Sequence, residues 1–232
     1  MLLFLPLVVI FSFFGKVNGG NIIYDACRIW ADIWQFLIGI SHKNIYESPH
    51  NTTHQYIFVA NHISYMDIPA IMKAIRDQHF RVLGKAELGQ IPVFGFIFKQ
   101  AAVSVNRKDA ENRAKSVLTL KSIIRRKISV FIFPEGTFNQ THNPLKEFYD
   151  GAFRIAIETE TPIKPILFLD TYDRLNYKSI FSLSPGRSRA VFLEETATAG
   201  LSMSDVPSLK EKIYKQMEEG LIRYKASWIR QR

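Results

Sequence analysis

Tyr56-Ile57-Phe58-Val59-Ala60-Asn61-His62-Ile63-Ser64-Tyr65-Met66-Asp67 sets the fold class. Its first five residues form an unbroken apolar run, as expected of a strand buried on both faces. Ile68-Pro69 follows Asp67, and proline is favoured in the first turn of a helix. A buried strand leading into a helix is the repeating unit of an α/β sheet. His62 then emerges at the carboxyl end of the strand, where ligands and catalytic groups gather in such sheets. An imidazole held by a nearby carboxylate is a general base. The same residues also fit a helix cap, because Ser64-x-x-Asp67 matches the capping-box pattern.

Outward from this stretch, strand-like runs recur at Tyr56–Ala60, Phe80–Gly84, Ala101–Val105, Ile128–Phe133, Ile163–Leu169 and Ala190–Leu193. Helical patterns lie between or after them at Ile68–Arg76, Ala110–Arg126, Gly151–Glu158 and Leu209–Trp228. The alternation predicts an α/β domain: a mixed, largely parallel sheet flanked by helices. No long linker divides it, so residues 41–232 are expected to form one catalytic domain.

Residues 1–40 differ in character. Leu2–Phe14 is apolar apart from Ser12, but shorter than the roughly 20 residues a spanning helix requires. No Lys or Arg precedes it and no A-x-A-like site follows, which argues against a signal peptide. After Gly19-Gly20, Ile22–Ile40 shows amphipathic spacing and carries Trp30 and Trp34, side chains suited to a membrane interface. The two segments read as a membrane-associated helical hairpin that enters one leaflet. The rival reading is a helix packed on the globular body.

The 232 residues include 47% hydrophobic and 22% charged, so a packed core is expected rather than disorder. Lys and Arg number 30 against 21 Asp and Glu, a formal charge of +9 that favours anionic partners. Cys27 is the only cysteine, which excludes an intrachain disulfide and a cysteine-rich metal site.

Three further constellations follow the His/Asp element. Val103-Ser104-Val105-Asn106-Arg107 is a strand ending in Arg, whose guanidinium suits bidentate binding of phosphate. Phe133-Pro134-Glu135-Gly136-Thr137 presents a carboxylate, a bare backbone and a hydroxyl at a strand end, although it also fits an ordinary turn. Thr161-Pro162-Ile163-Lys164-Pro165 brackets a strand entry with prolines. Each is weak alone; their order and spacing give them weight.

In that order the four elements resemble the glycerolipid acyltransferase family, its lysophosphatidic acid acyltransferases above all. Gly84-Lys85-Ala86-Glu87-Leu88, Pro92-Val93-Phe94-Gly95 and Gly151–Ala156 strengthen the likeness, which covers roughly residues 20–200. The resemblance implies transfer of a fatty acyl group from acyl-CoA or acyl carrier protein to the sn-2 hydroxyl of 1-acyl-sn-glycerol-3-phosphate, giving phosphatidic acid. It implies that His62 takes the hydroxyl proton and that Asp67 orients the imidazole. Arg107 becomes the expected phosphate clamp, Glu135, Gly136 and Thr137 complete the acceptor site, and Lys85 is a second anion contact. Asn61, Pro162 and Pro165 are expected to support these groups. The implied partners are membrane lipids and the two substrates. Neither metal nor cofactor is expected, and the implied location is the cytoplasmic face of the inner membrane. Asn106 and Tyr149-Asp150 depart from the family pattern, which keeps a lyso amino-acid lipid open as acceptor.

Other classes fit less well. No G-x-S-x-G string occurs, as a serine hydrolase would want. A nucleic-acid binder would interleave basic residues with exposed aromatics in a recognised motif, and none is found. An inactive membrane-surface adaptor has no need of an intact His62 and Asp67.

Overall fold

A computed structural model of the chain describes residues 15–91, 94–105 and 110–229. A π-helical turn (Gly15–Gly19) runs into α1 (Gly20–Ile38), followed by β1 (Ile40–Tyr46), β2 (Ile57–Ala60), α2 (Asp67–Ala74) and β3 (Phe80–Lys85). A 3-10 turn (Ala86–Gln90), α3 (Phe94–Ala101), β4 (Ala102–Val105), α4 (Ala110–Arg125) and β5 (Ser129–Ile132) come next. The chain continues through α5 (Gly151–Glu158), β6 (Ile163–Phe168), α6 (Thr171–Arg174) and β7 (Gly186–Phe192). After a 3-10 turn (Met203–Asp205), α7 (Val206–Arg223) completes the described elements.

The strands form one seven-stranded sheet in the order β1-β7-β6-β2-β5-β3-β4. β6, β2, β5, β3 and β4 run parallel, while β7 is antiparallel to β6 and β1 follows β7. The expected mixed, largely parallel sheet is therefore present. Its carboxyl edge gathers the residues after β2, the turn after β5 and the end of β3.

β2 shows why its apolar run has no polar alternation. Ile57 and Val59 pack into one core with Phe153, Leu167, Ile213 and Leu221. Tyr56, Phe58 and Ala60 pack into the other with Tyr24, Ile71 and Phe131. Helices cover both faces, so no strand residue there meets water. Each large side chain so buried contributes roughly 1.5–3 kcal/mol.

α1 lies against the second core. Ile23, Tyr24, Ala31 and Gln35 are buried, and Gln35 Nε2 donates to the Pro69 carbonyl at 3.1 Å. The Asp32 carboxylate accepts from Arg76 at 2.7 Å and from Lys73 at 2.5 Å. The helix stops at Gly39, whose φ of 77° only glycine adopts without strain. The opposite face leaves Ile29, Ile33, Phe36 and Leu37 exposed. So one face of this helix is packed on the body and the other is bare. The first limb of the expected hairpin, Leu2–Phe14, lies outside the described residues. Among the described residues no helix is long and apolar enough to cross a membrane.

Three elements were not expected: β1, α3 and the single turn α6. β1 has only Ile40, Ile45 and Tyr46 as apolar residues, and as an edge strand it pairs with β7 alone, so hydropathy does not reveal it. α3 carries Phe94, Phe96 and Phe98, and Phe98 is buried.

Candidate active site

The site begins where β2 ends. Asn61, buried, extends the ladder by one side chain: Nδ2 donates to the Phe168 carbonyl at 3.0 Å and Oδ1 accepts the Phe168 N–H at 2.8 Å. These two bonds tie the start of the His62 segment to β6.

His62 Nδ1 lies 2.9 Å from Asp67 Oδ2. Asp67 opens α2 and its side chain is fully buried. The same Oδ2 accepts the main-chain N–H groups of Ile63 at 2.8 Å and Ser64 at 2.9 Å. The other oxygen, Oδ1, is buried without a partner among the described residues. The capping box is half formed: the Asp67 carboxylate takes the Ser64 N–H, but Ser64 Oγ accepts from the Met66 N–H instead of that of Asp67, and the N-cap Met66 has no side-chain cap bond. The one carboxylate ties down the turn and touches the ring. With Nδ1–H donated to a carboxylate, the lone pair of the neutral ring sits on Nε2.

The ring is also held by its faces. Phe133 stacks on it at 3.9 Å between centroids and 14° between planes, and Phe138 packs at 4.3 Å. The main chain is fixed at both ends: His62 N–H donates to Glu135 Oε1 at 2.7 Å, and the His62 carbonyl accepts the Asn139 N–H at 2.7 Å.

Glu135, expected as an acceptor contact, is buried, and each of its oxygens takes a main-chain donor: Oε1 that of His62, Oε2 the Lys146 N–H at 2.9 Å. Burial pushes its carboxyl from 4.5 up to about 8, against the opposing pull of these two hydrogen bonds. The turn closes at Gly136, with φ of 70° and its N–H on the Phe133 carbonyl at 3.0 Å. Thr137 is exposed beyond it, and its Oγ1 accepts from Lys146 Nζ at 2.7 Å.

Lys146 was not singled out in the sequence. It sits in a loop with no pattern of its own, and the only hint is its place shortly after the Phe133–Thr137 turn. Folding brings it to Thr137.

A cavity of about 1030 Å³ opens over this edge. His62, Gly136, Thr137, Lys85 and Lys146 line its polar side, and Met72, Ile97, Phe98 and Leu88 much of the rest. Tyr24, Cys27, Trp30 and Trp34 of α1 also line it. The helix expected as a membrane element is thus a wall of the cavity. A volume of this size accommodates a long hydrocarbon chain together with a polar head. Among the described residues, no three His, Cys, Asp or Glu side chains converge in a way that could hold a metal ion.

Arg107 lies outside the described residues. Pro162 and Pro165 do not line the cavity. The Pro162 carbonyl accepts the Ile57 N–H at 3.0 Å, at the opposite end of β2 from His62, and Pro165 sits in register with Val59. Their support is to the sheet.

The acyltransferase family model matches residues 41–169, more than half of the chain. The chain belongs to the acyltransferase family. It is 29% identical over 167 residues to 1-acyl-sn-glycerol-3-phosphate acyltransferase alpha of Mus musculus, covering 71% of this chain and 58% of that protein. It is 27% identical over 162 residues to the beta enzyme of Homo sapiens, covering 69% and 58%. The chain thus spans less than two thirds of the length of these relatives. Its fold is that of the 1-acyl-sn-glycerophosphate acyltransferase PlsC of Thermotoga maritima, with a TM-score of 0.73 at 20% identity over 97% of this chain and 90% of that one.

Proposed function

We propose that this acyltransferase-family protein moves a fatty acyl group from acyl-CoA or acyl carrier protein to the free sn-2 hydroxyl of 1-acyl-sn-glycerol-3-phosphate, forming phosphatidic acid for phospholipid synthesis. The observation that carries the reading is the His62–Asp67 pair, 2.9 Å apart, at the wall of a largely apolar cavity that also holds Lys85 and Lys146. The names of its relatives support the choice of acceptor.

In this mechanism Nε2 of His62 removes the hydroxyl proton as the alkoxide oxygen attacks the thioester carbonyl. The tetrahedral intermediate collapses, the C–S bond breaks, and the leaving thiolate takes the proton from the imidazolium. Asp67 fixes the tautomer and stabilises the charged ring. General-base help of this kind supplies about 10²–10⁴-fold of rate. Positioning of two amphiphiles in one cavity contributes the larger part.

Lys146, Lys85 and the hydroxyl of Thr137 supply donors for the acceptor's phosphate, with Arg107 as their sequence-derived companion. Glu135 acts by holding His62 and the Lys146 loop. The reacting groups belong to residues 41–232, and residues 1–40 meet the lipid, through the bare stripe Ile29, Ile33, Phe36 and Leu37. The proposed location is the cytoplasmic face of the inner membrane.

The test is a matrix of acyl donors against lyso-lipid acceptors with purified protein, read by product mass. Phosphatidic acid is the expected product, lost in His62→Ala. Preferred acylation of a phosphate-free lyso amino-acid lipid would replace the proposed acceptor.

A further inference from the structure

The loop between α6 and β7 has no role in the chemistry above, yet it is built with care. Asn176 N–H donates to Ser182 Oγ at 2.9 Å, and Ser182 Oγ donates to the Ser179 carbonyl at 2.7 Å. Phe181 N–H donates to Ser179 Oγ at 3.1 Å, and Ser184 N–H to the Arg174 carbonyl at 2.9 Å. These bonds hold a tight knuckle whose tip is Ile180, 68% exposed, and Phe181, 90% exposed. A loop that spends its serines on its own backbone and its largest apolar side chains on water is shaped for an apolar partner.

Its position says which partner. The loop starts at Leu175, which lines the cavity, and Ser64 bridges to Asn176. It ends at Gly186, whose N–H donates to the Gly39 carbonyl at 3.0 Å, at the foot of α1. The exposed Phe36 and Leu37 belong to the last turn of that helix. Two apolar surfaces therefore leave adjoining backbone on the carboxyl edge of the sheet. Lys178 before the tip is an exposed cation, and Arg187 after it is exposed as well, with its Nε 3.4 Å from Asp170 Oδ1.

We infer that this knuckle is a second membrane-insertion element. Ile180 and Phe181 enter the outer acyl region of an anionic bilayer while Lys178 and Arg187 meet its headgroups. A convex tip needs a yielding surface rather than a matching groove, which favours a lipid layer over a second copy of this chain. The inference rests on the lyso-lipid reading of the site and extends it: with α1 on one side and the knuckle on the other, the cavity mouth would face the layer that holds the acceptor.

The experiment uses the full chain and vesicles of phosphatidylcholine mixed with phosphatidylglycerol. Phe181→Ser is expected to lower vesicle partition about tenfold, with thermal unfolding unchanged. In a Cys27→Ser, Phe181→Cys protein carrying an environment-sensitive dye at position 181, emission should shift to the blue on adding vesicles. Partition unaffected by Phe181→Ser but reduced by Phe36→Ser would overturn the knuckle's role and leave the membrane reading standing. No vesicle binding by the parent protein would overturn both. A blue shift that follows protein concentration without lipid, with a doubled mass in solution, would make the knuckle a contact between copies and overturn the inference.

Discussion

The side chain of Glu135 receives the main-chain N–H of His62 at 2.7 Å, so the turn after β5 holds the base that emerges from β2. The two neighbouring strands are joined at their carboxyl ends by a side chain as well as by the ladder.

Replacing Glu135 by Gln places an amide NH₂ against a main-chain donor. One buried N–H loses its acceptor, at a cost of about 1–3 kcal/mol. The amide can face either the His62 or the Lys146 main chain, and where it displaces His62 kcat should fall more than the acceptor KM rises. Steady-state kinetics and urea unfolding of Glu135→Gln check this; a raised acceptor KM at normal kcat would make Glu135 a direct acceptor contact instead.

The same carboxyl gives the stability a pH dependence. Its value is 4.5 ordinarily and about 8 in the fold, so the folded state holds a proton that the unfolded chain has released over that window. The contribution is present in full below about 4.5 and disappears as pH rises through 8. Glutamine cannot ionise, so the stability gap between the parent protein and Glu135→Gln should narrow from pH 5 to pH 8.5. Urea titrations at several pH values measure it, and a gap that widens contradicts the raised value.

Asp67→Asn keeps the size of the buried group and removes its charge. An amide oxygen in the place of Oδ2 can still accept from Nδ1–H, so what the ring loses is the negative charge that stabilises its protonated form, and turnover should drop about 10²–10⁴-fold. Asp67→Ala should in addition unfold more readily, because Ile63 and Ser64 lose the acceptor of their N–H groups. Activity and melting curves of the pair separate charge stabilisation from capping. Near-normal turnover of Asp67→Asn would remove the general-base mechanism.

Lys146→Ala should raise the KM for a phosphate-bearing acceptor about 10- to 100-fold, while the donor KM changes little. The same comparison applies to Arg107→Ala. A charge-assisted hydrogen bond of about 1.5–3 kcal/mol sets the scale. If the donor KM rises instead, the lysine belongs to the thioester's own phosphates.

The central sheet was legible because strands covered on both faces are mostly apolar: β2 reads directly as an apolar run, β5 does so after Ser129, and β6 does so apart from Lys164, a buried lysine whose Nζ donates to Ser48 Oγ at 2.9 Å. His62 and Asp67 were legible because the turn that joins them is local. What escaped depends on contacts distant in sequence. β1 is polar because its sheet neighbour is on one side only. Lys146 meets Thr137 through the course of a loop. The engagement of Glu135 with main chain depends on β2 and β5 lying side by side. The packed face of α1 was ambiguous for a related reason: an amphipathic stripe does not say whether protein or lipid covers it, and here the buried stripe meets protein while another remains bare.

Asn61 has a consequence for motion. Its amide replaces a peptide group opposite Phe168, so the ladder between β2 and β6 continues one step past the last residue of the strand. His62 follows at once. The ring is therefore tied directly to a central strand, a part of a fold expected to be among the last to open. In hydrogen exchange the Phe168 amide should be among the slowest to report solvent, and Asn61→Ala should quicken it together with the amides of Ile63 and Ser64.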